Sequence, residues 1–254
     1  LMPDRARQIE AMSGRGLDAL IATLAARDHL SDEEIAALKD ANWRFQDFEA
    51  GTEIIAQHSK PYESCVLVGG IAARALYAAS GSRQICALHI RGDFVDLHGM
   101  FLRKMDHAVV ALTPCQAAFV KHTALREICA THPHLSRVLS AMVAIDAAME
   151  RKWIFGLGQL RGEARMASLF CGLYKRFEVV DGIVDHSFPF PLSQATLGDA
   201  LGISVVHSNR SVQALRAANL ITWRNGAVTI LDWDGLAALA EFDPTYLNLF
   251  REEG

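Results

Sequence analysis

The spacing of apolar and polar positions divides the chain into three parts. In residues 17–118, short apolar runs are separated by turn residues such as Gly69-Gly70 and Gly92-Asp93. The runs predicted as strands are Arg44–Glu49, Thr52–Ile55, Ser64–Val68, Ile71–Ala78, Ile85–Ile90 and Ala108–Leu112. Evenly spaced short strands with glycine turns predict a small antiparallel β-roll. Ahead of them, Ser31 and Glu34 have the spacing of a capping box and predict a short helix to about Asn42.

Residues 119–157 change to a helical period. Apolar side chains recur there at steps of four, three, three, four and four, at Leu135, Leu139, Met142, Ile145, Met149 and Trp153. This spacing predicts one long amphipathic helix, with His132-Pro133-His134 as its capping segment. A core helix packed on its own domain has the same period, but so narrow a stripe favours pairing with a second copy of the chain. Gly156-Leu157-Gly158 is the predicted hinge after the helix.

The last part, residues 158–254, has the spacing of a winged helix-turn-helix. A helix is predicted over Gln159–Glu178, and two short helices follow, capped by Ser193 and Ser204 and separated by the turn residue Gly202. Two apolar runs, Leu220–Trp223 and Ala227–Leu231, then flank Arg224-Asn225-Gly226. Asn-Gly between alternating apolar residues is a strong hairpin signal, so these runs predict the wing.

The helix that begins after Ser204 is predicted to have two faces. Helical spacing directs Val205, Ser208, Val212 and Leu215 toward the domain core. The other face carries chemistry suited to base edges, because arginine can bond to guanine, an amide to adenine, and a valine methyl can touch a thymine methyl. The predicted DNA-contacting residues, including the two caps, are Ser193, Ser204, Val206, His207, Asn209, Arg210 and Gln213.

Composition and charge limit the alternatives. The 254 residues are 51% hydrophobic and 21% charged, which is typical of a folded globular protein. A net charge of -4 means that any nucleic-acid site must be local, and the segment 188–230 provides one, with Arg210, Arg216 and Arg224 against Asp199. Charged residues interrupt every long apolar run and recur through the first twenty residues, so we expect neither a membrane span nor a secretory signal, and a cytoplasmic location.

A β-roll, a long helix and a winged helix in this order resemble the CRP/FNR family of bacterial transcription regulators. The resemblance implies an α+β fold with a cyclic-nucleotide-binding-like, effector-sensing roll over 17–132, a dimerisation helix and hinge over 133–157, and a winged helix-turn-helix domain over 158–254. It also implies a homodimer that binds near-palindromic double-stranded DNA, acts on RNA polymerase and catalyses no reaction. Arg210 matches the family's guanine-contacting arginine, whereas Val206 replaces a frequent glutamate.

The effector pocket that the resemblance implies is degenerate. Members that bind cAMP have a Gly-Glu pair after Gly-Asp-Phe and an Arg-Ser pair ten residues later, the arginine holding the phosphate. Here Asp96-Leu97 and His107-Ala108 occupy those positions, so we expect no cyclic nucleotide to bind. The iron-sulfur branch has clustered N-terminal cysteines, but the first cysteine of this chain is Cys65.

The signal and two other classes of function stay open. Five histidines in or next to the roll could each bind haem or a metal or sense pH: His58, His89, His98, His107 and His122. The thiols of Cys65, Cys86 and Cys115 could sense oxidants, but no cofactor and no metal site is predicted. A cupin-like metal enzyme needs His-x-His inside the roll, and the one such motif, His132-Pro133-His134, lies outside it. A scaffold that does not bind DNA would leave Arg210 without a function.

Overall fold

The computed structural model describes residues 17–249, so predictions that concern residues 1–16 and 250–254 lie outside the described part. The described chain is α+β, as predicted. Its helices are α1 over residues 17–25, α2 Asp32–Lys39, α3 His122–Thr131, α4 Pro133–Gln159, α5 Gly162–Val179, α6 Gln194–Leu201, α7 Val205–Ala217 and α8 Trp233–Leu239, with short 3-10 helices at Leu97–Phe101 and Pro244–Leu247. Its strands are β1 Arg44–Phe48, β2 Glu53–Ile55, β3 Glu63–Gly69, β4 Ala72–Tyr77, β5 Arg83–His89, β6 Ala108–Ala111, β7 Cys115–Lys121, β8 Ser187–Pro189, β9 Ile221–Arg224 and β10 Ala227–Ile230.

The first seven strands form the predicted antiparallel roll. One sheet has the order β1-β7-β3 and the other β2-β6-β4-β5. Strand β7 pairs in register with β1 from Arg44 opposite Phe119 to Phe48 opposite Cys115. Buried side chains of both sheets, among them Leu67 and Val109, make the core between them. The predicted capping box is present ahead of the roll, since Ser31 N donates to Glu34 Oε2 at 2.9 Å and Glu34 N donates to Ser31 Oγ at 3.2 Å.

Two elements of this region were not predicted. Residues 17–25, ahead of the predicted capping box, are helical, and β7 extends into the part where the helical period was predicted to begin. Five of the seven β7 residues are buried, including the run from Ala117 to Val120, so both faces of the strand are covered and the apolar-polar alternation of a half-exposed strand is missing.

The long helix α4 begins at Pro133, as predicted, and continues through Gly156 and Gly158 to Gln159, so the predicted hinge lies in its last turn. Part of the apolar stripe that was predicted to contact a partner is buried within the chain. Leu135, Leu139 and Ile145 are at most 5% exposed. Met142, Met149 and Trp153 are only partly buried, the first against the core cluster of Leu135 and the other two beside a small cavity against α5, so their contact with a partner stays a prediction. A helix packed on its own domain has the same apolar period as one in a coiled coil, so the period could not separate the two.

Contacts within the chain group the described residues into two compact units. One contains residues 17–74, 88–146 and 249, and the other Ala75–Ala87 and Ala147–Asn248. The predicted boundaries at 132/133 and 157/158 are functional divisions and remain predictions. In the second unit, α5 starts at Gly162, three residues later than predicted, and is followed by α6, α7 and the sheet β8-β10-β9. Within residues 17–249, no helix is both long and apolar enough to cross a bilayer.

Candidate DNA interface

The turn between α6 and α7 is fixed by two glycines. Gly202 ends α6 with φ +63°, in the left-handed region that favours glycine. Gly198, four residues earlier, lies so close to the following segment that a Cβ there would be 2.7 Å from the carbonyl oxygen of Ile203. The predicted helix-turn-helix is therefore confirmed, with a tight turn that brings α7 directly against α6.

Serine caps begin both helices, as predicted. Ser193 Oγ accepts a hydrogen bond from Thr196 N at 3.0 Å, and Ser204 Oγ accepts one from His207 N at 3.3 Å. Each capping hydroxyl satisfies a backbone amide that the helix itself leaves unpaired. Ser204 Oγ is also 2.9 Å from His207 Nδ1, so this histidine is held at the start of α7.

The core face of α7 differs from the predicted one at its first residue. Ser208, Val212 and Leu215 are buried as predicted, but Val205 is 51% exposed. Val205 is the first residue of the helix, whose whole first turn lies at the surface, so helical spacing alone gave it the wrong environment. Among residues 17–249, the fully buried Ser208 Oγ finds no hydrogen-bond partner.

The face predicted to meet DNA is exposed. Val206 is 68% exposed, and Asn209, Arg210 and Gln213 are also exposed. Val206, Asn209 and Arg210 line one shallow surface groove together with Val205. The apolar side chain of Val206, the amide of Asn209 and the guanidinium of Arg210 thus lie side by side on a helix surface that the rest of the described chain leaves exposed.

The wing lies beside this face and adds positive charge. Strands β9 and β10 pair from Ile221 opposite Ile230 to Arg224 opposite Ala227, and both turn residues have positive φ, +51° at Asn225 and +73° at Gly226. Positive φ at both positions defines a type I′ turn, as the Asn-Gly signal predicted. A second surface depression runs from the start of α6 to this turn, lined by side chains that include Arg216 and Arg224.

Aromatic packing holds the helices and wing together. Phe170 of α5 is fully buried and makes edge-on contacts with Phe188, Phe190 and Trp223 at ring distances of 5.5 to 6.4 Å. Trp223 Nε1 donates to Phe190 O at 3.0 Å, so the only polar atom of the indole is satisfied. Rings packed at these angles give the small domain a rigid core.

Hydrogen bonds from charged side chains hold the C-terminal half of α6 in place. Arg83 at the start of β5 donates from Nε and Nη2 to Asp199 Oδ2, at 3.0 and 2.8 Å. Arg165 of α5 donates to Leu201 O at the end of α6, and also to Leu157 O and Leu160 O at 2.7 and 2.9 Å. Arg83 neutralises Asp199, the one acidic residue among residues 188–230, so the positive charge around α7 is larger than the charges of that segment alone indicate.

The four residues of the degenerate effector pocket are all buried. Asp96 and His107 are 2% and 4% exposed, and Leu97 and Ala108 are similarly covered. Asp96 Oδ1 accepts a hydrogen bond from Cys65 N at 2.6 Å, while burial raises the pKa of this carboxyl to about 7. The absence of cyclic-nucleotide binding stays a prediction.

Titratable groups in the roll differ in what they can bind. Burial raises the pKa of the Cys65 and Cys115 thiols, which leaves them protonated and weak as nucleophiles or oxidant sensors. His98, Asp106 and His107 instead offer one ligand atom each within 4.8 Å of one another, and they are the one group of metal-ligating type that residues 17–249 bring together. The sequence placed His98 and His107 among five candidate histidines but did not indicate that they meet, because they lie in separate short segments.

Comparison with known proteins agrees with this arrangement. Residues 45–132 match the profile of the cyclic nucleotide-binding domain, and residues 164–239 match that of the Crp-like helix-turn-helix domain. The chain belongs to the CRP/FNR family of transcription regulators. As a CRP/FNR regulator it is a DNA-binding protein, and the roll and winged helix described above are the two domains that the profiles match.

Relatives of this CRP/FNR regulator cover most of its length. A probable transcriptional activator of Rhizobium leguminosarum bv. viciae is 29% identical over 179 residues, which is 70% of this chain and 72% of the relative. The transcriptional activator protein FnrL of Cereibacter sphaeroides is 24% identical over 74% of this chain and 76% of its own. The solved structure of FixK2 from Bradyrhizobium japonicum has a TM-score of 0.70 at 20% identity and covers 78% of this chain and 96% of that one.

Proposed function

We propose that this regulator works as a homodimer that binds a near-palindromic operator, with one α7 helix in each of two successive major grooves. The observation that carries the proposal is the exposed face of Val206, Asn209, Arg210 and Gln213, flanked by arginines of the wing side. Such a face combines groups that distinguish bases with groups that attract phosphates, and both are needed for sequence-specific binding.

Direct contacts follow from the chemistry of these side chains. Arg210 donates to guanine, Asn209 and Gln213 pair with adenine, and Val206 packs on a thymine methyl. Arg216 and Arg224 bind phosphates, which positions α7 without reading sequence. The hydroxyls of Ser193 and Ser204 and the ring of His207 lie at the starts of the two helices, where positive helix ends favour phosphate oxygens.

Dimerisation is assigned to the part of α4 that the chain itself leaves uncovered. Because Leu135, Leu139 and Ile145 are buried, a partner helix has to meet side chains that stay exposed, and Ile154 and Phe155 are 66% and 43% exposed near the helix end. Two subunits joined there have to present their α7 helices roughly 34 Å apart, one turn of B-DNA. The Ile154→Glu variant should therefore be monomeric in analytical ultracentrifugation.

Control of DNA binding is assigned to a signal at the β-roll, and the output to contact with RNA polymerase. An equilibrium between DNA-competent and incompetent dimers would use the end of α4, where Gly156 and Gly158 offer backbone freedom. The relatives whose names describe transcriptional activators support an activating regulator.

The test of the proposal is the affinity of the full-length protein for DNA. The probe is a fluorescently labelled duplex that carries an operator selected from random DNA by the wild-type protein. It is titrated with wild type, with Arg210→Ala and with Arg103→Ala, a control that removes an exposed arginine of the roll. Arg210→Ala should lose about 1 to 3 kcal/mol of binding free energy and its preference at one base pair per half-site. Unchanged affinity and specificity in Arg210→Ala would contradict the assignment of α7 to the major groove.

A further inference from the structure

Three metal-ligating side chains meet at the roll although the sequence predicts no metal site. His98 lies in the 3-10 helix Leu97–Phe101, and Asp106 and His107 directly precede β6. One ligand atom of each residue lies within 4.8 Å of the other two. The His98 and His107 rings are 5.1 Å apart between centroids. The fold therefore closes a small loop that brings two imidazoles and a carboxylate together.

His107 has one satisfied and one unsatisfied ring nitrogen. Its side chain is only 5% exposed, and Nδ1 is 2.9 Å from Asp106 Oδ1. Nε2 is buried and has no hydrogen-bond partner among residues 17–249. An unpaired buried polar atom is costly, and a proton shared between Nδ1 and a carboxylate leaves the lone pair on Nε2, where a metal ion can take it.

His98 is arranged in a similar way. Its Nδ1 is 3.7 Å from Asp146 Oδ2, which is too long for a good hydrogen bond but places a second carboxylate beside the second ring. Histidines that bind metals usually have a carboxylate or a carbonyl on their other nitrogen, because this fixes the tautomer and orients the ring. Each of the two imidazoles has such a carboxylate neighbour.

The charges around the cluster suit a cation. The buried Arg74 is the opposing charge, and its Nη2 is 2.9 Å from Asp146 Oδ2, so that carboxylate offsets it. Asp106 remains as a further negative charge.

We propose that His98 and His107 bind one divalent transition-metal ion through ring nitrogens, His107 through Nε2, while Asp106 stays on His107 Nδ1 and supplies negative charge beside the ion. Imidazole ligands favour ions such as Zn²⁺ over Mg²⁺ or Ca²⁺. Two ligand atoms around a tetrahedral ion with bonds of about 2.0 Å are roughly 3.3 Å apart, and the two rings are 5.1 Å apart between centroids, so one ion can join them after a small adjustment.

Zinc binding to the full-length protein tests this proposal. Chelator-treated wild type, His98→Gln and Asp106→Asn are dialysed against Zn²⁺, and bound zinc per chain is measured as a function of free zinc. The matched control is His58→Asn, because His58 is an exposed histidine of the same roll at φ +65°, a conformation that asparagine accepts. Thermal unfolding of each metal-free variant checks its fold, and the exposed Asp106 makes the Asn variant the safer of the two.

Wild type and His58→Asn should each bind one Zn²⁺ per chain, and both site variants should lose at least about tenfold in affinity. Zinc should also raise the melting temperature of wild type and the control, but not that of the site variants at the same concentration. Equal zinc affinity in wild type and both site variants would overturn the proposal and direct attention to His134, which lies against Glu34 and Asp28. Absence of zinc binding by wild type would overturn it as well. The experiment involves no DNA, so its outcome is independent of the proposed function.

Discussion

Replacing Gly198 by alanine should loosen the helix-turn-helix although it improves the local helix propensity. Gly198 lies inside α6, where alanine is favoured over glycine by about 1 kcal/mol. The added Cβ would lie 2.7 Å from Ile203 O, about 0.7 Å short of the 3.4 Å at which ordinary contact begins. The obstructing atom belongs to the backbone of the turn, so relief requires α6 and α7 to move apart.

Overpacking of this kind costs about 1 to 3 kcal/mol, which leaves a net loss of up to about 2 kcal/mol once the propensity gain is subtracted. Gly158→Ala is the matched control, because Gly158 lies in the last turn of α4 and its Cβ would meet no atom within 4 Å. The same chemical change should stabilise that turn by up to about 1 kcal/mol.

Amide hydrogen exchange of the full-length protein, resolved by mass spectrometry, measures both effects locally. Gly198→Ala should speed exchange in α6 and α7 by up to roughly 30-fold and leave the roll unchanged, whereas Gly158→Ala should slow exchange at the end of α4. Equal or greater protection of α6 and α7 in Gly198→Ala would refute the close approach as the reason for glycine at this position.

Four further variants test separate parts of the account. Arg224→Ala should weaken DNA binding uniformly across sequences and reduce the salt slope by about 1, as measured by titrations at several salt concentrations; a change in base preference would count against a phosphate contact. Ser208→Ala removes a buried hydroxyl without a partner in the described chain, so urea unfolding should show equal or higher stability, while loss of the cap in Ser204→Ala should cost about 0.5 to 2 kcal/mol. The pKa of His98 is lowered from 6.5 to about 4 in the folded protein, so the unfolded state takes up this proton first as the pH falls from about 6.5 to 4, and the free energy of unfolding of wild type decreases in that range. In His98→Gln the free energy of unfolding should depend less on pH there, and parallel pH profiles of the two proteins would refute this.

Turn chemistry made the winged helix predictable from the sequence. Ser193, Ser204, Gly202 and the Asn225-Gly226 pair act through their own backbone or through residues two to three positions away, so their signals survive without tertiary information. The exposure of Arg210 and its neighbours followed from helical spacing within one element. Val205 was misassigned, because the environment of the first turn depends on what covers the end of the helix.

Features that depend on long-range packing could not be predicted in this way. The apolar period of α4 is the same whether Leu135 and Leu139 face their own domain or a partner, and only the packed core distinguishes the two. Strand β7 is covered on both faces and therefore has no alternation to detect. His98 and His107 come together because a 3-10 helix and the loop before β6 fold against one another, and neither segment carries a metal motif.

The most direct test of the central claim is selection of bound duplexes from a random pool by the purified full-length protein. A two-fold symmetric site whose half-sites lie about one helical turn apart, with a guanine whose enrichment disappears in Arg210→Ala, is the predicted result. Enrichment of a single unpaired half-site would contradict the dimer. Recovery of no preferred sequence, both with and without added Zn²⁺, would contradict reading of bases by α7.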